Sequence, residues 1–111
     1  TELNFDKAGW NTGIRIFDIM LLLEMNECDM ASLKIESLRK HITKYPSSDR
    51  SETIFKILGA VERNDFKFNG IKSVEANLRL LKENHPWDPF GHEIVRFDTW
   101  FEKNRELEEK T

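Results

Sequence analysis

Apolar positions recur at helical spacing along most of the chain, and polar punctuation divides them into five segments. Between Ile14 and Met25 the run IRIFDIMLLLEM is apolar nearly all round, broken by Arg15 and Asp18, which predicts a first helix over 14–27 packed on more than one side. Ahead of it, TELNFDKAGWNTG reads as an irregular leader over 1–13. Behind Asp29, a residue type suited to an N-cap, Ala31, Ile35, Leu38, Ile42 and Tyr45 keep helical spacing until Pro46. That pattern predicts a second helix over 30–45. The third, over 50–64, opens on DRSE, where Asp49 and Glu52 form a capping-box pattern. It carries Ile54, Ile57, Leu58 and Val61 on one face and stops at Asn64. A connector with Phe66 and Phe68 leads through Asn69 and Gly70 to a fourth helix over 70–84, marked by Ile71, Val74, Leu78 and Leu81 and ended by Pro86. In HPWDPFGHEIVRFDTWF, Asp88 fits an N-cap and Pro89 the first helical position. A fifth helix is therefore expected over 89–105, burying Phe90, Ile94, Phe97 and Phe101 and turning Glu93, Arg96, Glu102 and Lys103 to water. Residues 106–111 form a charged tail, and no segment alternates with the period of a strand.

A shift of forty residues places Ile14 over Ile54 and Ile94, Phe17 over Ile57 and Phe97, and Leu21 over Val61 and Phe101. The same shift sets Asp29 over Asn69, Leu38-Arg39 over Leu78-Arg79, and Pro46 over Pro86. The order reads A-B-A-B-A. Helix pairs repeating at this length and closed by an unpaired helix resemble the tetratricopeptide-like and related α-solenoids, over roughly Ile14 to Lys103. The resemblance is architectural: forty exceeds the tetratricopeptide period of about 34, and that family's consensus Trp, Leu-Gly, Tyr and Ala-x-x-x-Phe positions are not legible, so no binding residue carries over. It implies an all-α, right-handed stack of two helical hairpins of about 40 residues each plus a C-terminal capping helix, with a concave face for a partner. Without the repeat, the same elements make a compact five-helix bundle.

Length and charge narrow the function. With 111 residues the chain suits one domain, read here as 14–105. Seventeen basic and twenty acidic residues leave a net charge of −3, so nucleic acid is not the expected partner. The apolar run is shorter than the roughly 20 residues of a bilayer span, which predicts no membrane anchor. A lone cysteine, Cys28, and no Asn-x-Ser/Thr acceptor make the cytoplasm the expected compartment.

Candidate chemistry is sparse. His85, Asp88, His92, Glu93 and Asp98 supply metal-ligating or acid/base atoms, but His85 and His92 lie seven residues apart across a Pro-x-x-Pro turn, not at the (i, i+4) spacing of a helical metal pair. Asp88 is instead expected to cap, and the aromatics to fill the core. Cys28 and His41 could form a nucleophile–base pair only if the fold joined them. No nucleophile elbow, phosphate-binding glycine loop, zinc cysteine pair or calcium loop occurs, and no cofactor is implied. Between residues 29 and 50, Lys34, Arg39, Lys40, Lys44 and Arg50 outnumber Asp29, Glu36 and Asp49. Arg39 and Arg79 hold matching places in the two B helices. Trp10 and Trp100 stand off the apolar stripes, where tryptophan marks contact surfaces, while Trp87 is placed to seal a helix junction. The expected function is a non-catalytic protein–protein interaction module, free or as the C-terminal end of a longer helical-repeat protein. Its partner is another protein or a peptide, met by Arg39, Lys40, Arg79, Trp10 and Trp100. The alternatives are a small metal-binding protein or enzyme using His85, Asp88 and His92, and a nucleic-acid-binding helical domain.

Overall fold

Five helices follow one another in the computed structural model, which describes residues 2–45, 47–89 and 91–110, without the side chains of residues 2–6 and 8. They are α1 (Glu2–Glu24), α2 (Cys28–Lys44), α3 (Asp49–Arg63), α4 (Lys72–Glu83) and α5 (Phe97–Glu109). No strand occurs among the described residues. The expected all-helical class is therefore met, with α1/α2 and α3/α4 as the two closest-packed pairs.

The helix ends are set by identifiable groups. Asn26 takes φ 58°, and Glu27 N–H donates to Leu22 O at 2.9 Å, the left-handed closure that lets α1 turn into α2. α2 begins at Cys28, so Asp29 stands in its first turn, where a carboxylate complements the helix dipole, and not at the cap. α3 is capped by Ser48, one residue before the expected Asp49: its Oγ accepts the Ser51 N–H at 3.1 Å. Asn64 ends α3 as expected. Its Nδ2 then donates to Lys67 O and Asn69 O, binding the connector into a closed turn in which Asp65 and Phe66 take positive φ. Pro46, expected to stop α2, and Phe90, expected on the buried face of α5, lie outside the described residues.

Two boundaries differ from expectation. Residues 2–13 are helical rather than an irregular leader, so α1 is a single helix from Glu2. Gly9 and Gly13 do not break it. A Cβ at Gly9 would stand 2.4 Å from His92 Nδ1, and one at Gly13 would stand 2.0 Å from His92 O. Glycine is there because another segment crosses α1 at backbone distance. At the other end of the chain, α5 starts at Phe97, eight residues later than Asp88-Pro89 suggested, and runs through most of the supposed charged tail. The Gly91 N–H donates to Asp88 O at 2.9 Å, so that stretch is a turn and not a helix start. Residues 85–89 and 91–96 form an irregular strap, and this strap crosses Gly9 and Gly13.

The core gathers around α3, which touches α1, α2 and α4. Ile54, Ile57, Leu58 and Val61 from α3 meet Ile16, Ile19 and Met20 of α1, Leu38 of α2, Leu78 and Leu81 of α4, and Phe97 and Phe101 of α5 in one buried cluster. The aromatic end is closed by Phe68, edge-on to Phe101 at 5.1 Å and to Trp100 at 5.8 Å.

Burial tests the forty-residue register helix by helix. Leu38 and Leu78 are both buried, with Arg39 and Arg79 both exposed, and Ile57 and Val61 are buried like Phe97 and Phe101. The α1 register fails: Ile14 and Leu21 are exposed while their counterparts Ile54 and Val61 are buried. In α1 the buried series is Ile16, Ile19 and Met20, which matches Ile54, Ile57 and Leu58 two residues out of step. A helix apolar nearly all round offers more than one face for such an alignment, and the exposed one was matched. α1 is accordingly an outer helix, with α3 at the centre. Ile94, also matched to Ile54, is 48% exposed on the strap.

Candidate functional site

Arg50 was expected on a basic surface and is instead 9% exposed, at the inner end of the core face that continues through Ile54, Ile57 and Val61. Its guanidinium is enclosed by acceptors from three directions. Nε donates to Glu93 Oε1 at 2.6 Å, and Nη2 donates to Glu93 Oε2 at 3.0 Å and to Asp98 Oδ1 at 2.8 Å. Nη1 donates to Leu81 O at 3.3 Å and His85 O at 2.9 Å, where α4 ends. Arg96 completes the cluster, its Nε and Nη2 donating to the two Asp98 oxygens at 3.0 and 3.1 Å. Asp98 stands in the first turn of α5, where a carboxylate complements the helix dipole, and the Arg50 guanidinium meets carbonyls at the C-terminal end of α4. Glu93 Oε2 accepts the Phe97 N–H at 2.6 Å and so caps α5, the role assigned by sequence to Asp88.

Burial by itself would raise the Asp98 carboxyl, but hydrogen bonds from Arg96 and Arg50 outweigh it and hold that group below its ordinary value. Burial likewise works against the Arg50 cation, and the bonds it donates to Glu93 and Asp98 reverse the effect, leaving it above its ordinary value. Glu93 of the strap and Asp98 of α5 thus share one target, Arg50. Glu93, expected in water, belongs to this buried group.

A cleft of about 380 Å³ opens between α1, the start of α3 and the strap. Gly9, Thr12 and Gly13 form its upper wall, Ile16, Phe17 and Met20 continue along α1, and Ile94 and Val95 face them from the strap. Ser47, Ser48, Ser51 and Asp88 bound the remaining end. An uncovered apolar row runs along α1 and onto Met25, just past its end. Trp10, Ile14, Leu21 and Met25 are all exposed, up to 63% at Met25, and their spacing of four, seven and four places them on one side of the helix with Phe17 between.

The expected contact residues fall into separate places. Trp10 belongs to the uncovered row and meets the His92 ring edge-on at 4.9 Å. Trp100 is 8% exposed and donates from Nε1 to Glu24 Oε1 at 2.8 Å, so it joins α5 to α1 and is withdrawn from any partner. Arg39 and Lys40 are exposed on α2, with Arg39 Nε donating to Glu36 Oε2 at 3.0 Å; Arg79 is exposed on α4. Trp87 lies under the Arg96 guanidinium, 5.7 Å from the ring centre. Cys28 and His41 stand thirteen residues apart on one helix, roughly 20 Å at 1.5 Å per residue, and do not meet. His41 is buried and shares a 3.0 Å hydrogen bond with Thr12 Oγ1, fastening α2 to α1. Among the described residues no three His, Cys, Asp or Glu side chains form a metal-holding group, and no helix is long and apolar enough to cross a membrane. No family model matches the chain, and no curated protein or solved structure matches it either.

Proposed function

We propose that this chain is a non-catalytic protein–protein interaction module, built as two helical hairpins and a capping helix in an α-solenoid stack resembling the tetratricopeptide-like arrays. The uncovered apolar row Trp10, Ile14, Leu21 and Met25 carries the reading. A soluble domain rarely leaves a continuous apolar face along a helix unless something covers it. The row replaces Trp100 as the main contact element and keeps Trp10 within it. Arg39, Lys40 and Arg79 remain a secondary, polar surface on the B helices. In a stacked array, the outer side of the first A helix is where a preceding hairpin or a partner helix sits. Its cover is thus a helix from a longer form of the same protein or from another protein.

The test is capture from native lysate with the wild type beside an Ile14→Glu/Leu21→Glu variant. Both sites are exposed, so circular dichroism of the variant should match the wild type. A stoichiometric partner retained by the wild type and lost by the variant supports the module; a partner held equally by both, or none held by either, counts against the α1 face.

A further inference from the structure

We propose that the cleft between α1 and the strap receives a bulky apolar side chain from a basic segment of a partner protein. This rests on the interaction-module reading and adds the chemistry of the partner. At about 380 Å³ the cleft lies at the low end of ligand-holding pockets, roughly 300–1,000 Å³. A small polar ligand would need convergent polar groups with bonding capacity to spare. Here the strongest donor points elsewhere: each Arg50 nitrogen already donates to Glu93, Asp98 or the α4 carbonyls. The larger part of the lining is apolar, from Phe17 and Met20 on α1 to Ile94 and Val95 on the strap, with Thr12, His92 and three serines beside it. Methionine and unpaired aliphatic side chains adapt to an inserted hydrophobe.

Charge selects the rest of the partner. Asp88 bounds the cleft and is exposed, and exposed Asp49 and Glu52 flank the bounding serines Ser48 and Ser51. Arg50 is neutralised within its buried cluster, and Arg96, next to Val95, pairs with Asp98 there. A peptide whose apolar residue enters the cleft therefore passes its neighbours over an acidic rim, which favours lysine or arginine there. Lys7, exposed two residues before Gly9, marks the α1 end and orients the basic side of the peptide toward α3.

The experiment uses two synthetic amphipathic peptides that share a leucine face, one with lysines and one with glutamates on the polar side, titrated into the isotope-labelled full chain. The lysine peptide should bind about tenfold more tightly and shift the amides of Gly13, Phe17, Ile94 and Val95. Ile94→Ser should weaken it, and Asp49→Lys/Glu52→Lys should abolish or invert the preference, with helicity checked for each variant. Equal binding of the two peptides would overturn the charge assignment, and the absence of saturable binding would overturn the cleft itself. Shifts confined to Trp10, Ile14, Leu21 and Met25 would also sink the cleft while leaving the α1 face, and the module reading, standing. Loss of lysate capture in the α1 variant is a separate measurement and does not depend on either peptide.

Discussion

Arg50 shows how one residue can change the meaning of a sequence. As a member of a basic run it suggested a surface; as the position four residues before Ile54 and seven before Ile57 it belongs to the core face of α3. Helical spacing carried that signal, and charge concealed it. Asp98, between buried Phe97 and Phe101, carried the same signal. Single removal of a buried, hydrogen-bonded charge is costly because its partners stay behind unpaired. Arg50→Met should lower the unfolding free energy by about 3–5 kcal/mol in chemical denaturation. The pH dependence follows from Asp98. Its folded carboxyl lies below the unfolded value, so the unfolded chain binds the proton first as acid is added. The stabilisation from this group is complete above about pH 4 and disappears as pH falls through the folded value. Asp98→Asn should therefore be less stable than wild type at neutral pH, and the gap should narrow below about pH 4. A gap that stays constant with pH would place the Asp98 contribution outside its charge.

At the scale of elements, helices of ordinary periodicity were readable and their junctions were not. α2, α3 and α4 fall close to the spans expected, because one face of each is apolar and the other polar. Residues 1–13 read as an irregular leader and Asp88-Pro89 as a helix start, because the signals are local while the causes are tertiary. The glycines admit the strap, and α5 is capped by Glu93 from within that strap. Gly13→Ala gives a direct check. Alanine is the better helix former by about 1 kcal/mol, so an isolated α1 would gain from the change. In the folded protein the new methyl meets the His92 carbonyl, backbone that cannot rotate away. The thermal midpoint should fall, with a net loss of roughly 1–3 kcal/mol. Gly9→Ala presses on the His92 ring instead and should cost less.

At the scale of the molecule, the last helix holds the first. Trp100 reaches Glu24 on α1, and Glu108 Oε2 and Oε1 accept the Phe68 and Asn69 N–H groups at 2.7 and 3.2 Å on the α3–α4 connector. A capping helix was legible from Phe97 and Phe101, but its fastening to α1 was not, since it joins residues 76 positions apart. Removing residues 97–111 should uncover Phe68, Leu78 and Leu81, giving strong binding of a hydrophobic dye and aggregation on size exclusion. A monomeric truncation with unchanged helicity per residue would show that α5 is dispensable. The spacing of the Arg50 cluster also fixes an order of events during synthesis. Arg50 leaves the ribosome well before its carboxylate acceptors, which lie 43 and 48 residues downstream. At roughly 5–20 residues per second, seconds pass in which α3 can form but cannot seat its arginine in a dry core. The α1/α2 hairpin can assemble in that interval, whereas closure of α3 waits for Asp98, so the nascent chain stays open until nearly all of it has been made.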